Sequence, residues 1–174
     1  MTIDTGTPDT GTPRSLLAQP ITAATFRPYG QFIQSTDDGK GFDKTDAQLD
    51  LSQGIPRLYI MQLRQTGLAF DRITRHQRCT QCLGALGDQD WFMAVAPPGT
   101  GDRPDLSQLA VFQIPPHCFI KLEAGTWHAG PHFDQASMDF YNLELSDTNI
   151  TDHQTCDLRQ TFGLTFNILA AAVG

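Results

Sequence analysis

An all-β fold, with sheets closed over a common interior, is what this sequence predicts, on three observations. About eight short runs rich in apolar, β-branched and aromatic residues recur along the chain, separated by turns of Gly, Pro and Asp. A 3.6-residue apolar period is almost absent, and no long helices alternate with the runs, which argues against a parallel α/β sheet. At 174 residues the chain suits one domain, which can bury roughly 70% of its unfolded surface and needs no disulfide framework. Jelly-roll architectures satisfy all three by folding two sheets over one interior.

The elements follow in order. Residues 1–20 read as a flexible tail: they are rich in Thr, Pro, Gly and Asp, with Asp4-Thr5-Gly6-Thr7-Pro8 nearly repeated by Asp9-Thr10-Gly11-Thr12-Pro13. Such a stretch has too little apolar surface to offset the entropy of ordering it. The single domain is expected over residues 21–174. Thr22 caps a short helix through Ala23-Ala24-Thr25-Phe26, which stops before Pro28. Tyr29-Gly30 turns into a strand at 31–34, and residues 35–50 form a polar loop. Strands are then expected at 57–63, 68–74, 90–96, 110–114, 118–123, 138–145 and 162–168. The Asp/Thr/Asn-rich residues 146–157 read as a long loop before the last of these.

A formal net charge of −7 argues against nucleic acid or an anionic membrane as partner, since either is drawn to a basic face. No apolar run approaches the roughly 18 residues that span a bilayer. The N-terminus lacks the basic region and apolar core of a secretory signal, so the cytoplasm is the expected location. Cys79, Cys82, Cys118 and Cys156 are accordingly expected as reduced thiols. His76-x-x-Cys79-x-x-Cys82 has no second Cys-x-x-Cys at ribbon spacing, which argues against structural zinc.

The chemistry gathers on two histidines. His128 closes Gly125-Thr126-Trp127-His128, a tight glycine turn after the apolar run 118–122. His76 ends Phe70-Asp71-Arg72-Ile73-Thr74-Arg75-His76, and Thr80-Gln81 follows shortly. Each stands near a strand end, so the pair is expected to enter the interior from opposite sheets and share one pocket. An imidazole there can move protons near neutrality or bind a metal. Arg75 alternates with His76 and is expected to point outward if His76 points inward. Asp139, Glu144 and Glu123 could supply a carboxylate, but alternation does not fix their faces. His117 and His153 read as surface residues.

These residues resemble the ureidoglycolate lyase family. Arg75-His76 with Thr80-Gln81, then Ala94-Val95-Ala96, Pro104-Asp105-Leu106-Ser107-Gln108-Leu109 and Gly125-Thr126-Trp127-His128 occur in that family's order and spacing. Phe26-Arg27-Pro28-Tyr29-Gly30 looks like its N-terminal helix and turn. The resemblance implies a cupin-like double-stranded β-helix (jelly-roll) barrel with a short N-terminal helix, usually a homodimer. It implies cleavage of ureidoglycolate to glyoxylate and urea in allantoin and purine nitrogen recovery, with a divalent metal, nickel, as a stimulating cofactor. The family often carries Tyr-His where this chain has Leu122-Glu123, and a second histidine where it has Ala129; His132 follows four residues after His128.

Ureidoglycolate is a carbinolamine bearing a carboxylate. Releasing urea requires a base for the hydroxyl proton, an acid for the departing nitrogen and a cation for the carboxylate. His76 and His128 suit the proton roles, Arg57 or Arg75 the carboxylate, Gln81 the amide end, and Trp127 a pocket wall. His76, Gln81 and His128 also fall where cupin metal ligands would. Two other readings share this fold: a non-catalytic cupin that binds a small anion, and a cupin enzyme, an isomerase or metal-dependent oxygenase, with a different small carboxylate substrate.

Overall fold

A computed structural model describes residues 13–171. In chain order its elements are β1 (Arg14–Leu17), β2 (Gln19–Pro20), α1 (Ala23–Phe26), β3 (Gly30–Ile33), β4 (Pro56–Arg64), β5 (Ala69–Phe70), β6 (Arg72–Arg75), β7 (Gln81–Ala85) and β8 (Trp91–Ala96). They continue with β9 (Ala110–Ile114), β10 (Phe119–Leu122), β11 (Trp127–His132), β12 (Ser137–Leu145), α2 (Thr148–Thr151), β13 (Gln154–Asp157), α3 (Leu158–Phe162) and β14 (Phe166–Leu169). The fold is all-β and cupin-like, as expected.

Two large sheets enclose the interior: a five-stranded one, β3-β10-β7-β12-β4, and a six-stranded one, β13-β6-β11-β8-β9-β2. Between them pack Trp91, Met93, Val95, Phe112, Ile120, Leu122, Phe133 and Phe140. Strand β8 shows how the layers work. Its alternate residues Phe92, Ala94 and Ala96 turn to the other face, into a second core with Phe70, Trp127, Phe166 and Ile168. A third sheet, β1-β14-β5, covers that face. A strand buried on both sides needs no polar alternation, which is why residues 91–96 read as one apolar run.

The short helix follows its local signal. Thr22 and Thr25 cap each other reciprocally, each side chain accepting the other's backbone N–H at 3.1 Å, and Phe26 is driven into the core. The expected tail is corrected over residues 14–20. Strand β1 pairs in parallel with β14, from Arg14 opposite Phe166 to Leu17 opposite Leu169, and β2 pairs with β9. Those partner strands supply the backbone hydrogen bonds that a solitary polar segment lacks. Residues 1–12 of that expectation lie outside the described residues.

Other boundaries also differ. The run 68–74 breaks at Asp71, with β5 joining the third sheet and β6 the six-stranded one. Strands β7 and β11 were not expected as such; the glycine turn at Gly125 is the entry to β11. The expected loop 146–157 holds α2 and β13, and β13 pairs along β6 from Gln154 opposite Arg75 to Asp157 opposite Arg72. The final strand begins at Phe166, because Asp157 accepts from the Gln160 N–H at 2.8 Å and starts α3 over 158–162.

Candidate functional site

Both predicted histidines reach one pocket, by a shorter route than expected. His128 lies on β11 opposite Thr74 of the neighbouring strand β6, and His76 is the residue that follows β6. The two therefore come from adjacent strands of one sheet rather than from opposite sheets. Their ring centroids are 5.1 Å apart. Gly125, at φ 86°, holds a left-handed turn that a Cβ would strain. Its N–H donates to the His76 carbonyl at 2.6 Å, so the turn before one histidine is pinned to the other.

The ring orientations are set by the main chain. His76 Nδ1 lies 2.5 Å from the Asp152 carbonyl oxygen, and His128 Nδ1 lies 3.3 Å from that of Thr126. A carbonyl only accepts, so each Nδ1 carries the proton and each Nε2 is left as a lone pair. Burial pushes the His128 pKa down to about 3, and a charged His76 beside it would push the same way. Burial also lowers the His76 pKa, opposed by the Asp152 carbonyl and by the charge of Glu144. Both rings are neutral at pH 7. The Asp152 carboxylate meanwhile accepts from the backbone N–H groups of Gln77 and Arg78, fixing the loop that carries His76.

The facing sheet contributes a polar network. Gln81 on β7 donates through Nε2 to Asn142 Oδ1 and Glu144 Oε2, both at 3.1 Å. Asn142 donates to the Tyr59 hydroxyl at 2.9 Å, which donates to Glu144 Oε1 at 3.2 Å. Glu144 is only 1% exposed and meets no cation in this network. Sequence reasoning left Glu144 on an unknown face and missed Asn142 and Tyr59. Period-two spacing from Phe140, an evident core residue, was the available signal for Asn142 and Glu144.

Three further predicted residues separate. Arg57 is exposed, and its guanidinium stacks 3.7 Å over the Tyr59 ring, at the rim of the network. Trp127 is 0% exposed in the second core and points away from His128, as neighbours on one strand must; it is not a pocket wall. Arg75 turns to that same face, where it stacks 4.5 Å over Trp127 and donates to Gln154 Oε1 and the Gly99 carbonyl. It is buried and clear of the site, because β13 and the Gly99 loop cover the side expected to face solvent.

The model of the ureidoglycolate lyase family matches residues 13–163. The chain belongs to that family. No curated protein matches it.

In this family member His76, Gln81 and His128 line a recess together with Cys79, Leu122, Glu123 and Thr126, and it is too narrow to admit a water. His128 also lines a wider cleft of about 310 Å³ with Arg72, Thr74, His132 and His153. His132, which the sequence offered only as a stand-in for the histidine absent at Ala129, gives its Nδ1 proton to the Gly67 carbonyl and leaves Nε2 buried with no partner among the described residues. His153 is exposed, as expected, yet its ring lies 5.5 Å from that of His76.

The residues do not fit the implied metal. No group of three or more His, Cys, Asp or Glu side chains able to hold an ion occurs among the described residues. The expected ligands, two neutral imidazoles and an amide oxygen, offer a divalent ion three donors and no negative charge, fewer than such ions ordinarily take, and the carboxylate beside them, Glu123, is paired with Lys121. The cysteines Cys79, Cys82, Cys118 and Cys156 are free thiols. No helix among the described residues is long and apolar enough to cross a membrane.

Proposed function

We propose that this lyase-family chain cleaves ureidoglycolate to glyoxylate and urea by acid/base elimination, with His76 as the proton carrier. The observation that supports this most directly is the pair of neutral imidazoles 5.1 Å apart, each with Nδ1 committed to a main-chain carbonyl and Nε2 left as a lone pair. His76 Nε2 accepts the hydroxyl proton of the carbinolamine. As the C–O bond becomes a carbonyl, the C–N bond breaks, its electron pair stays with the departing nitrogen, and the imidazolium returns the proton there. No net proton is consumed. His76 suits the carrier role better than His128, because the Asp152 carbonyl and the charge of Glu144 oppose part of its burial whereas burial holds His128 neutral.

His128 Nε2 and Gln81 serve as acceptors for the ureide, and Arg57 as the cation nearest the network for the carboxylate. We propose, with the family, a cytoplasmic homodimer acting in allantoin nitrogen recovery; Leu58, Ile60 and Tyr141, exposed side by side on β4 and β12, offer an apolar face for a second copy.

The test is release of urea and glyoxylate from ureidoglycolate by purified protein. Release of both, lost in His76→Ala with the fold intact, supports the proposal. Folded wild-type protein that releases neither would leave the small-anion-binding reading.

A further inference from the structure

We infer that the cleft beside His128 is a binding site for a small carboxylic acid, with Arg72 as the residue that holds its carboxylate. That the acid is a substrate or product of this chain rests on the lyase reading. Space is the first argument. The recess behind His128 admits no water, whereas the cleft encloses about 310 Å³. That is the small end of the roughly 300–1,000 Å³ that ligand sites span, so the occupant is a small molecule. Ala69, Ala129 and Gly130 line the cleft with little side chain, which leaves the room. His128 is the one described residue that lines both spaces, so a ligand in the cleft lies against a member of the histidine pair.

Charge is the second argument. Arg72 and Thr74 stand two apart on β6 and share a face, and Thr74 lies directly opposite His128. Arg72 is thus a diagonal neighbour of His128, about 7–8 Å away across the ladder, a separation that one small acid bridges. Its guanidinium makes no hydrogen bond among the described residues, and its ion pair is long, Nε to Asp157 Oδ2 at 3.8 Å. The nearby arginines are spent otherwise: Arg75 donates to Gln154 and Gly99, and Arg78 to Asp147, Thr151 and Gln53. The other titratable groups of the cleft leave the anion to Arg72. Asp71 is offset by Arg159, whose Nη2 lies 3.4 Å from its Oδ2. Burial holds His128 and His132 neutral, and His153 is exposed. Arg72 is a cation at any working pH, and its planar fork matches the two oxygens of a carboxylate. Arg57 stays at the rim of the facing-sheet network and does not line the cleft.

The test is calorimetric titration of the full-length protein with two acids that cannot eliminate: N-carbamoylglycine, which is ureidoglycolate without its hydroxyl, and glyoxylate. N-carbamoylglycine is expected to bind, and to bind at least tenfold more weakly in Arg72→Gln. Arg103→Gln makes the same charge change on an exposed arginine outside the cleft and is expected to leave the affinity unchanged. A tenfold loss for glyoxylate alone would make the occupant the product acid and still support the site. Binding of neither acid, or a loss in Arg72→Gln no larger than that in Arg103→Gln for both, would overturn the inference. Urea release, assayed in parallel, separates the two readings. Arg72-dependent binding without turnover keeps this site and sinks the lyase reading, and turnover with binding indifferent to Arg72 does the reverse.

Discussion

The His76 and His128 rings lie 5.1 Å apart and tilted by 52° across the β6–β11 boundary, each with its Nδ1 proton given to a main-chain carbonyl. Two imidazoles this close in a buried site cannot both be charged. The pair therefore stores at most one added proton, and the ring with an offsetting carboxylate nearby is the one to take it.

Replacing His76 by alanine is expected to lower the rate of urea release by roughly 10²–10⁴-fold, the usual span for a positioned general base. His128→Ala is expected to lose activity as well, through the vacated acceptor and the opened recess. Circular dichroism should be unchanged in both. In the wild type, activity requires neutral His76, so it falls as pH drops through a pKa that burial holds below 6.5. A pH–rate profile whose acid limb lies above 6.5 would contradict the assignment.

Stability should follow the same protons. His76, His128 and His132 all have pKa values lowered by burial in the folded state. Below the unfolded value of about 6.5 the unfolded chain binds protons that the folded chain refuses, so falling pH favours unfolding. Each such group contributes a slope of up to about 1.4 kcal/mol per pH unit, and for His128 the window runs from about 6.5 down to about 3. Urea denaturation at a series of pH values should show that slope reduced in His128→Gln. An identical pH dependence would mean that His128 is not buried neutral.

Trp127→Ala is expected to cost about 3–5 kcal/mol of stability, since it empties a fully buried position in the second core. At a temperature where the variant stays folded, KM for ureidoglycolate should change little, because the ring faces away from His128. Arg75→Met removes the guanidinium over Trp127 and its bonds to Gln154 and Gly99, and the same pattern is expected. A large rise in KM with unchanged stability in either variant would return these residues to the pocket.

The strand runs and the capped helix at Thr22 were legible in the sequence, because each rests on local chemistry or spacing. That His76 and His128 share a pocket was expected, but not that they reach it from adjacent strands of one sheet. What was not legible depends on the layer outside the barrel. Alternation correctly sends Trp127 and Arg75 away from the histidines, but only the third sheet and β13 reveal that their face is buried. Residues 14–17 carry no strong strand signal of their own; their order comes from pairing with β14, more than a hundred positions later. Likewise spacing from Phe140 gives the face of Glu144, but its partner appears only when β12 is registered against β7, which places Leu143 opposite Cys82 and lets Gln81 reach its carboxylate.

Dialysis against a strong chelator is expected to leave urea release intact, and added nickel to leave its rate unchanged. Divalent ions commonly take four or more ligands with negative charge among them, whereas His76, His128 and Gln81 supply two neutral nitrogens and one amide oxygen, and the carboxylate of the recess, Glu123, is paired with Lys121. Behind Gln81, the Glu144 carboxylate is already engaged by Gln81, Tyr59 and Asn149. Drawing it to an ion would break those bonds. Elimination from a carbinolamine also needs no Lewis acid when a base stands at the hydroxyl and returns its proton to the leaving nitrogen. Loss of activity on dialysis, restored by nickel and not by magnesium, would show that the network opens to bind a metal and that His76 is a ligand before it is a base.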